Sequence, residues 1–175
     1  MSYFYTYLIS SLPSLQFGTK PPFSFKEFII YCQRFIPDAD IQILKKLSIS
    51  GDYSTIVQAT LKKWQDFDST LRNELVKNRA QRMHIDPGRY LRKDRFPEAF
   101  ITNIAITALR SSSILEAEKI LDLARWQALD DFCFGHYFDL DFLIIYCLKL
   151  LILERWERIN ISDKKQVLEE ALKVH

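Results

Sequence analysis

The residues best suited to chemistry lie between positions 133 and 141, where the chain reads Cys-Phe-Gly-His-Tyr-Phe-Asp-Leu-Asp. Cys133, His136, Asp139 and Asp141 carry a thiol, an imidazole and two carboxylates, which are all groups that bind divalent metal ions. However, no second histidine or thiolate lies nearby in the sequence to complete a tetrahedral site. Asp139 also stands where the N-cap of a following helix is expected. The pattern therefore favours a structural role over a metal site.

In this structural interpretation, His136 forms a hydrogen bond inside the corner between two helices. Asp130 and Asp131 are expected to pair with arginines such as Arg125, which lies one to two helical turns before them.

Cys133 and His136 are also the pair of groups that a cysteine nucleophile requires. Phenylalanine flanks Cys133 on both sides, and apolar surroundings raise the pKa of a thiol. The sequence has no GxSxG, Walker A or HExxH motif and no dinucleotide-binding glycine pattern. We therefore expect no enzymatic activity, no cofactor and no small-molecule substrate.

A basic segment runs from residue 72 to residue 95 and holds eight Lys/Arg against three acidic residues. A nucleic-acid-binding module would use its arginines at Arg72, Arg79, Arg82, Arg89 and Arg92. Acidic residues interrupt the stripe, and residues 116–163 hold ten acidic against five basic residues. The pattern therefore favours a charge-paired surface, with nucleic-acid binding as the alternative.

The elements that position these residues are predicted to be helices. Apolar residues recur at steps of three and four along most of the chain, and the sequence contains only four glycines. Ser24 to Glu27 and Ser113 to Glu116 are two capping boxes that mark helix starts. The predicted helices cover residues 24–36, 38–47 (capped by Asp38), 54–83, 97–108, 113–134, 140–156 and 162–175 (capped by Ser162).

Residues 3–12 are apolar and aromatic and are compatible with a helix or a strand, and we favour a helix because no other segment offers a strand partner. The predicted fold class is an all-α, single-domain multi-helix bundle. Its domain spans residues 1–175, with N-terminal helices in 1–83, a basic connection in 84–96 and C-terminal helices in 97–175.

One helix, from Leu140 to Trp156, is apolar nearly all round. Its most hydrophobic stretch, residues 142–153, contains Lys149 and is shorter than the roughly twenty residues that a bilayer requires. We therefore expect a buried central helix. The three cysteines, Cys32, Cys133 and Cys147, form no CxxC pair and lie in apolar surroundings, which predicts reduced, buried thiols in a cytosolic protein.

Several motifs together resemble a known bacterial family. They begin with residues 5–13 and 21–24 and continue with Leu71-Arg-Asn-Glu-Leu75. The specific part is the C-terminal set, from Ala124-Arg-Trp126 through residues 134–141 to Leu148-Lys-Leu-Leu-Ile-Leu-Glu-Arg-Trp156. The chain is similar to uncharacterised proteins encoded beside the subunits of V-type (archaeal-type) ATPases, and the resemblance spans nearly its whole length.

The resemblance implies a non-enzymatic accessory subunit of a proton- or sodium-translocating rotary ATPase, as a counterpart of the socket-like C/d component of that enzyme. Its partners would be the central stalk and the membrane rotor ring, and its location cytoplasmic, held at the inner membrane through the complex. The candidate structural or partner-contact residues are Arg72, Asn73, Glu74, Arg79, Arg125, Trp126, Gly135, His136, Tyr137, Asp139, Asp141, Glu154, Arg155 and Trp156.

Overall fold

The computed structural model describes residues 4–49, 51, 58–91 and 97–173, with side chains described up to residue 162. Within these ranges the chain forms helices and no strand, which confirms the predicted all-α class. The helices are α1 (Tyr5–Ser11), α2 (Phe25–Cys32), α3 (Asp38–Lys45), α4 (Ala59–Met83), α5 (Ala99–Arg110), α6 (Ile114–Phe132) and α7 (Leu140–Lys173). A single 3₁₀ turn, Gly88–Tyr90, lies between α4 and α5.

The helices group into two compact units. Unit 1 comprises Met1–Ile49 together with Gly135–His175, and it contains α1, α2, α3 and α7. Unit 2 comprises Ser50–Phe134 and contains α4, α5 and α6. The predicted single domain, with its groups 1–83, 84–96 and 97–175, divides the chain differently and stays a prediction.

The core of unit 1 is built around α7, which packs against α2 and α3. Six consecutive residues of α7, 143–148, are buried. Six positions cover more than one full helical turn, so this part of the helix is enclosed on all sides, as predicted. An aromatic cluster extends the core, with the rings of Phe28 and Tyr146 stacked at a centroid distance of 5.3 Å. The Tyr146 hydroxyl donates a hydrogen bond to the Pro13 carbonyl at 2.9 Å, so the one polar atom of this cluster is satisfied.

The cysteines of unit 1 are buried as expected, and none of the three cysteines forms a disulfide. Burial raises the pKa of the Cys32 thiol to about 12. Burial, together with the neighbouring Cys32, raises the pKa of Cys147 well above its ordinary value. Cys133, in unit 2, is only half-buried, because it lies at the C-cap of α6 and not inside the helix.

The helix ends of unit 1 follow the sequence in part. The Ser24 capping box is complete, and residues 5–11 are helical. Asp38 is not the cap of α3, because Pro37 occupies that position and Asp38 lies in the first turn. Ser162 is not a cap either, since α7 continues through it and its hydroxyl donates to the Arg158 carbonyl one turn back.

Unit 2 is a three-helix arrangement in which α4, α5 and α6 all contact one another. Trp64 and Leu71 of α4 and Leu129 of α6 are almost fully buried. The break predicted after α4 is present: His84 adopts a left-handed conformation with φ of 53°, just before Asp86-Pro87. The predicted start of α4 at residues 54–57 lies outside the described residues.

The starts of α5 and α6 differ in detail from the prediction. Helix α5 begins at Ala99 with Glu98 as its cap, two residues after Pro97. Ser113 caps α6 as expected, since its hydroxyl accepts a hydrogen bond from the Glu116 amide at 3.1 Å. The Glu116 carboxylate, however, accepts from Ser112 and does not complete the capping box. None of the helices in the described part of the chain has a stretch long and apolar enough to cross a membrane.

Candidate functional site

Residues 133–139 connect α6 to α7, and Gly135 to Asp139 of this connection are called the corner below. Helix α6 ends at Phe132, and Gly135 follows with a φ of +87°. This is the left-handed region, which glycine adopts without the steric cost that a β-carbon brings. Two residues of the turn, Tyr137 and Phe138, are 61% and 53% exposed. The local sequence therefore produces a corner that presents aromatic rings to solvent.

Asp139 holds this corner to the start of α7. Its Oδ1 accepts a hydrogen bond from the Phe142 amide at 2.9 Å, the contact that an N-cap residue makes with the third helical residue. Its Oδ2 accepts from Nδ1 of His136 at 2.6 Å. Both predicted structural roles, the N-cap of Asp139 and the hydrogen bond of His136 inside the corner, are confirmed.

Three of the four candidate metal ligands of the sequence lie close together in the structure. The ligand atoms of His136, Asp139 and Asp141 all lie within 4.8 Å of one another, and Cys133 is not part of the group. The Asp141 carboxylate is 3.9 Å from His136 Nδ1. Nδ1 of His136 and Oδ2 of Asp139 are bonded to each other, and Oδ1 of Asp139 accepts from the Phe142 amide. These contacts stabilise the turn, and the absence of a metal site stays a prediction.

Arg125 forms a buried double ion pair in unit 2. Its Nε donates to Asp68 at 2.9 Å and its Nη1 donates to Asp122 at 2.8 Å. The arginine is 5% exposed and Asp122 is fully buried. Burial opposes the charge on Arg125, but the two carboxylates outweigh it and raise its pKa.

The partners predicted for Arg125 are wrong. Asp130 and Asp131 are both exposed, and Arg125 reaches Asp68 on α4 and Asp122 on its own helix instead. Asp122 is three residues before Arg125, a spacing that places both on one face of α6. That signal was present in the sequence, whereas Asp68, 57 residues away, has no local signal.

Other candidate residues of unit 2 are also bound internally. The Arg72 Nε lies 2.7 Å from the second oxygen of Asp68, as an ion pair without hydrogen-bond alignment. Glu74 is buried, with Lys77 Nζ at 3.2 Å and the Thr102 hydroxyl at 3.0 Å. Asn73 and Trp126 are buried as well. Asn73, Glu74 and Trp126 thus lie in the core of unit 2, whereas Arg72 is half-buried at its surface.

The described arginines of the basic stripe differ in their contacts. Arg79, Arg82 and Arg89 are exposed, and the Arg82 guanidinium also donates to the Leu109 carbonyl at 3.2 Å. Arg92 lies outside the described residues. Nucleic-acid binding by this stripe and a charge-paired surface both stay predictions.

The C-terminal motif contains a contact that the sequence did not indicate. Glu154 of α7 accepts a hydrogen bond at 2.7 Å from the amide of Phe25, the first residue of α2. That amide has no partner within its own helix, so Glu154 caps α2 from 129 positions away in the chain. Arg155 and Trp156 are half-buried beside it. Glu154 therefore ties two helices of unit 1 together.

Comparison with known proteins gives one similarity. The model of a family described as a protein of unknown function (DUF2764) matches residues 96–173, which include α5, α6, the corner and α7. The search of curated proteins and the search of solved structures gave no match. The matched segment contains both the corner and Arg125.

Proposed function

We propose that the protein is a non-enzymatic accessory subunit of a V-type rotary ATPase, which joins its central stalk to the membrane rotor ring. The sequence motifs of the corner, which carry the resemblance to the ATPase-associated proteins, also supply the supporting geometry. At the corner, His136 and Asp139 are bound to each other, while Tyr137 and Phe138 are more than half exposed.

Exposed rings on an internally bonded turn are suited to a docking surface. Exposed aromatic rings bury a large area on binding and are enriched in protein interfaces. A fixed backbone beneath them lowers the entropy lost when a partner binds. The outward rings held on an internally satisfied turn are the single observation that carries the proposal from the structure. The torque-transmitting role adds a second requirement, a stiff body, which closely packed helices provide.

The test is co-purification from native membranes in a mild detergent. The tagged protein should recover the catalytic and stalk subunits of the V-type ATPase. Tyr137→Ala should reduce this recovery, and a matched control is Tyr90→Ala, because Tyr90 in unit 2 is 63% exposed, close to the 61% of Tyr137. Circular dichroism establishes that both variants remain folded.

Recovery of no ATPase subunit with the wild-type protein would overturn the assignment to this assembly. Equal recovery by Tyr137→Ala, Tyr90→Ala and the wild type would instead remove the corner as the docking surface.

A further inference from the structure

Unit 2 carries a groove on its surface that is separate from the corner. It has a volume of about 820 Å³ and is lined by residues of α4, α5 and α6. Its lining residues on α6 are 124, 127, 128, 131 and 132, which follow the spacing of one helix face. Eight residues of rise correspond to roughly 12 Å, or about two turns of a helix. The groove is therefore long enough to take a short helix along α6.

The floor of the groove is apolar, and its members are Phe67, Phe100, Ile101, Ile104, Ala128 and Phe132. Phe67 and Phe132 meet edge to face with centroids 6.4 Å apart, so these two rings are held in place. Phe100 is 49% exposed and is available to a partner. The small side chain of Ala128 allows the backbone of a partner to approach closely.

The rim of the groove is acidic. Among the described residues that line the groove, Asp66 of α4, Glu98 at the cap of α5 and Asp131 of α6 are acidic, and Lys63 is basic. Glu98 and Asp131 are exposed. The described part of the rim thus carries more acidic than basic groups around an apolar floor, which is complementary to a helix with an apolar stripe and basic flanks.

We propose that this groove binds a basic amphipathic helix of a partner protein, with its apolar stripe on Phe100 and Phe132 and its lysines or arginines facing Glu98 and Asp131. The amphipathic helix is favoured over a small molecule because the three carboxylates do not lie within 4.8 Å of one another, whereas polar groups converge in small-molecule sites. The inference rests on the groove alone and does not require that the partner be an ATPase subunit.

The probe is a labelled helical peptide with leucines spaced three and four residues apart and lysines on both flanks. Its binding to the full-length protein is measured by fluorescence anisotropy. The comparison peptides are a scrambled one of the same composition and one with glutamates in place of the lysines. We expect the basic amphipathic peptide to bind, and both comparison peptides to bind at least about tenfold more weakly.

Three variants locate the binding site. Asp131→Lys should weaken the basic peptide about tenfold, whereas the matched control Asp130→Lys, one residue earlier, exposed and outside the groove lining, should leave its affinity unchanged. Phe100→Ala should weaken binding by about tenfold or more, as the loss of an aromatic anchor does. Because both groove residues are substantially exposed, neither change requires the core of unit 2 to rearrange.

Equal binding of the three peptides, or equal effects of Asp131→Lys and Asp130→Lys, would overturn the proposal. So would sedimentation showing that the wild type dimerises and that Phe100→Ala makes it monomeric, since the occupant would then be a second copy of the chain. Co-purification distinguishes this site from the corner: loss of ATPase subunits in Tyr137→Ala with unchanged peptide binding separates the two surfaces.

Discussion

Both units are built from helices, but their cores bury different types of side chain. The buried polar and charged residues of the described chain are Thr60, Asp68, Asn73, Glu74, Asp122 and Arg125, and all of them belong to unit 2. Unit 1 buries apolar side chains and two neutral thiols around α7. The hydrophobic effect that stabilises unit 1 is non-directional, whereas the ion pairs of unit 2 require particular partners at particular distances.

The difference teaches what each core tolerates. An apolar core accepts other side chains of similar volume at modest cost. A buried charge network accepts the loss of all its members better than the loss of one, because a single remaining charge is left without compensation. We therefore expect the loss of one charged partner in unit 2 to cost more than a volume-conserving apolar substitution in unit 1.

The largest effect is expected from Arg125→Ala. It leaves the carboxylates of Asp68 and Asp122 in the core without their shared cation. Removing one partner of a buried ion pair costs about 3–5 kcal/mol of unfolding free energy. Urea denaturation measures the loss, and hydrogen exchange in α4 shows whether it arises in unit 2.

A second variant isolates the reason for that loss. Replacing all three residues together, by Asp68→Leu, Asp122→Leu and Arg125→Met, should leave the stability close to that of the wild type or above it. If this triple variant loses as much as Arg125→Ala, packing geometry and not uncompensated charge stabilises unit 2, and the contrast between the units fails.

The matching change in unit 1 is Leu148→Ala. Leu148 is fully buried on α7, and truncating it removes apolar contacts and leaves a cavity. The expected cost is about 2–5 kcal/mol. Unlike the loss in unit 2, it should not change with ionic strength, because no charge is involved. A salt-dependent cost, measured by urea denaturation at low and high salt, would contradict the apolar description of this core.

The sequence predicted the apolar core far better than the charged one. Residues 143–148 could be assigned to a core helix because an apolar run that is too short to span a bilayer is stable inside a packed core. The partners of Arg125 could not be assigned in this way, since Asp68 lies on another helix and only the packing of α4 against α6 brings it near.

The corner is a region whose contacts could be predicted from the sequence, because they are local. His136 and Asp139 are three residues apart, so their contact and the cap of α7 follow from local geometry and were predicted. The groove was not predicted, because its floor and rim draw on three helices. Chemistry that one turn of chain encodes can be inferred from the sequence, and chemistry that depends on packing cannot.

The buried thiols give unit 1 a dependence on alkaline pH. Cys32 ionises near 9.0 in an unfolded chain, and burial raises its pKa to about 12 in the folded protein. The stability that the neutral thiol contributes is complete below about pH 9 and is lost as the pH rises toward 12. One such proton lowers the unfolding free energy by up to about 1.4 kcal/mol per pH unit.

Cys32→Ala should reduce this slope, measured by urea denaturation between pH 8 and pH 11. Cys133→Ala is the control, because Cys133 is half-buried in unit 2 and should leave the slope nearly unchanged. Identical slopes for the two variants would contradict the prediction, because they would show that folding does not shift the pKa of the Cys32 thiol.

Asp139→Ala tests the corner with a smaller expected effect. It removes the cap of α7 and the hydrogen-bond partner of His136 together. The loss of an N-cap costs about 0.5–2 kcal/mol. Asp139→Asn retains the capping oxygen and should recover most of the loss. If a divalent metal raised the melting temperature of the wild type and not that of Asp139→Ala, the three side chains would form a metal site after all.

The smallest effect on the unfolding free energy is expected from Ser162→Ala. This variant distinguishes a separate last helix from a continuous α7. The sequence predicts that Ser162 caps a separate last helix, and the loss of such a cap would cost about 1 kcal/mol. In the structure α7 runs from Leu140 to Lys173 without a break, and the Ser162 hydroxyl donates to a carbonyl one turn earlier. Alanine has a higher helix propensity than serine, so the substitution should lower the unfolding free energy by less than about 0.5 kcal/mol or should raise it.

Ser24→Ala is the positive control, because Ser24 caps α2 in a complete capping box and the loss of that cap should cost about 1 kcal/mol. Equal losses in the two variants would show that α7 is interrupted at Ser162. Residues 162–173 would then form a separate helix.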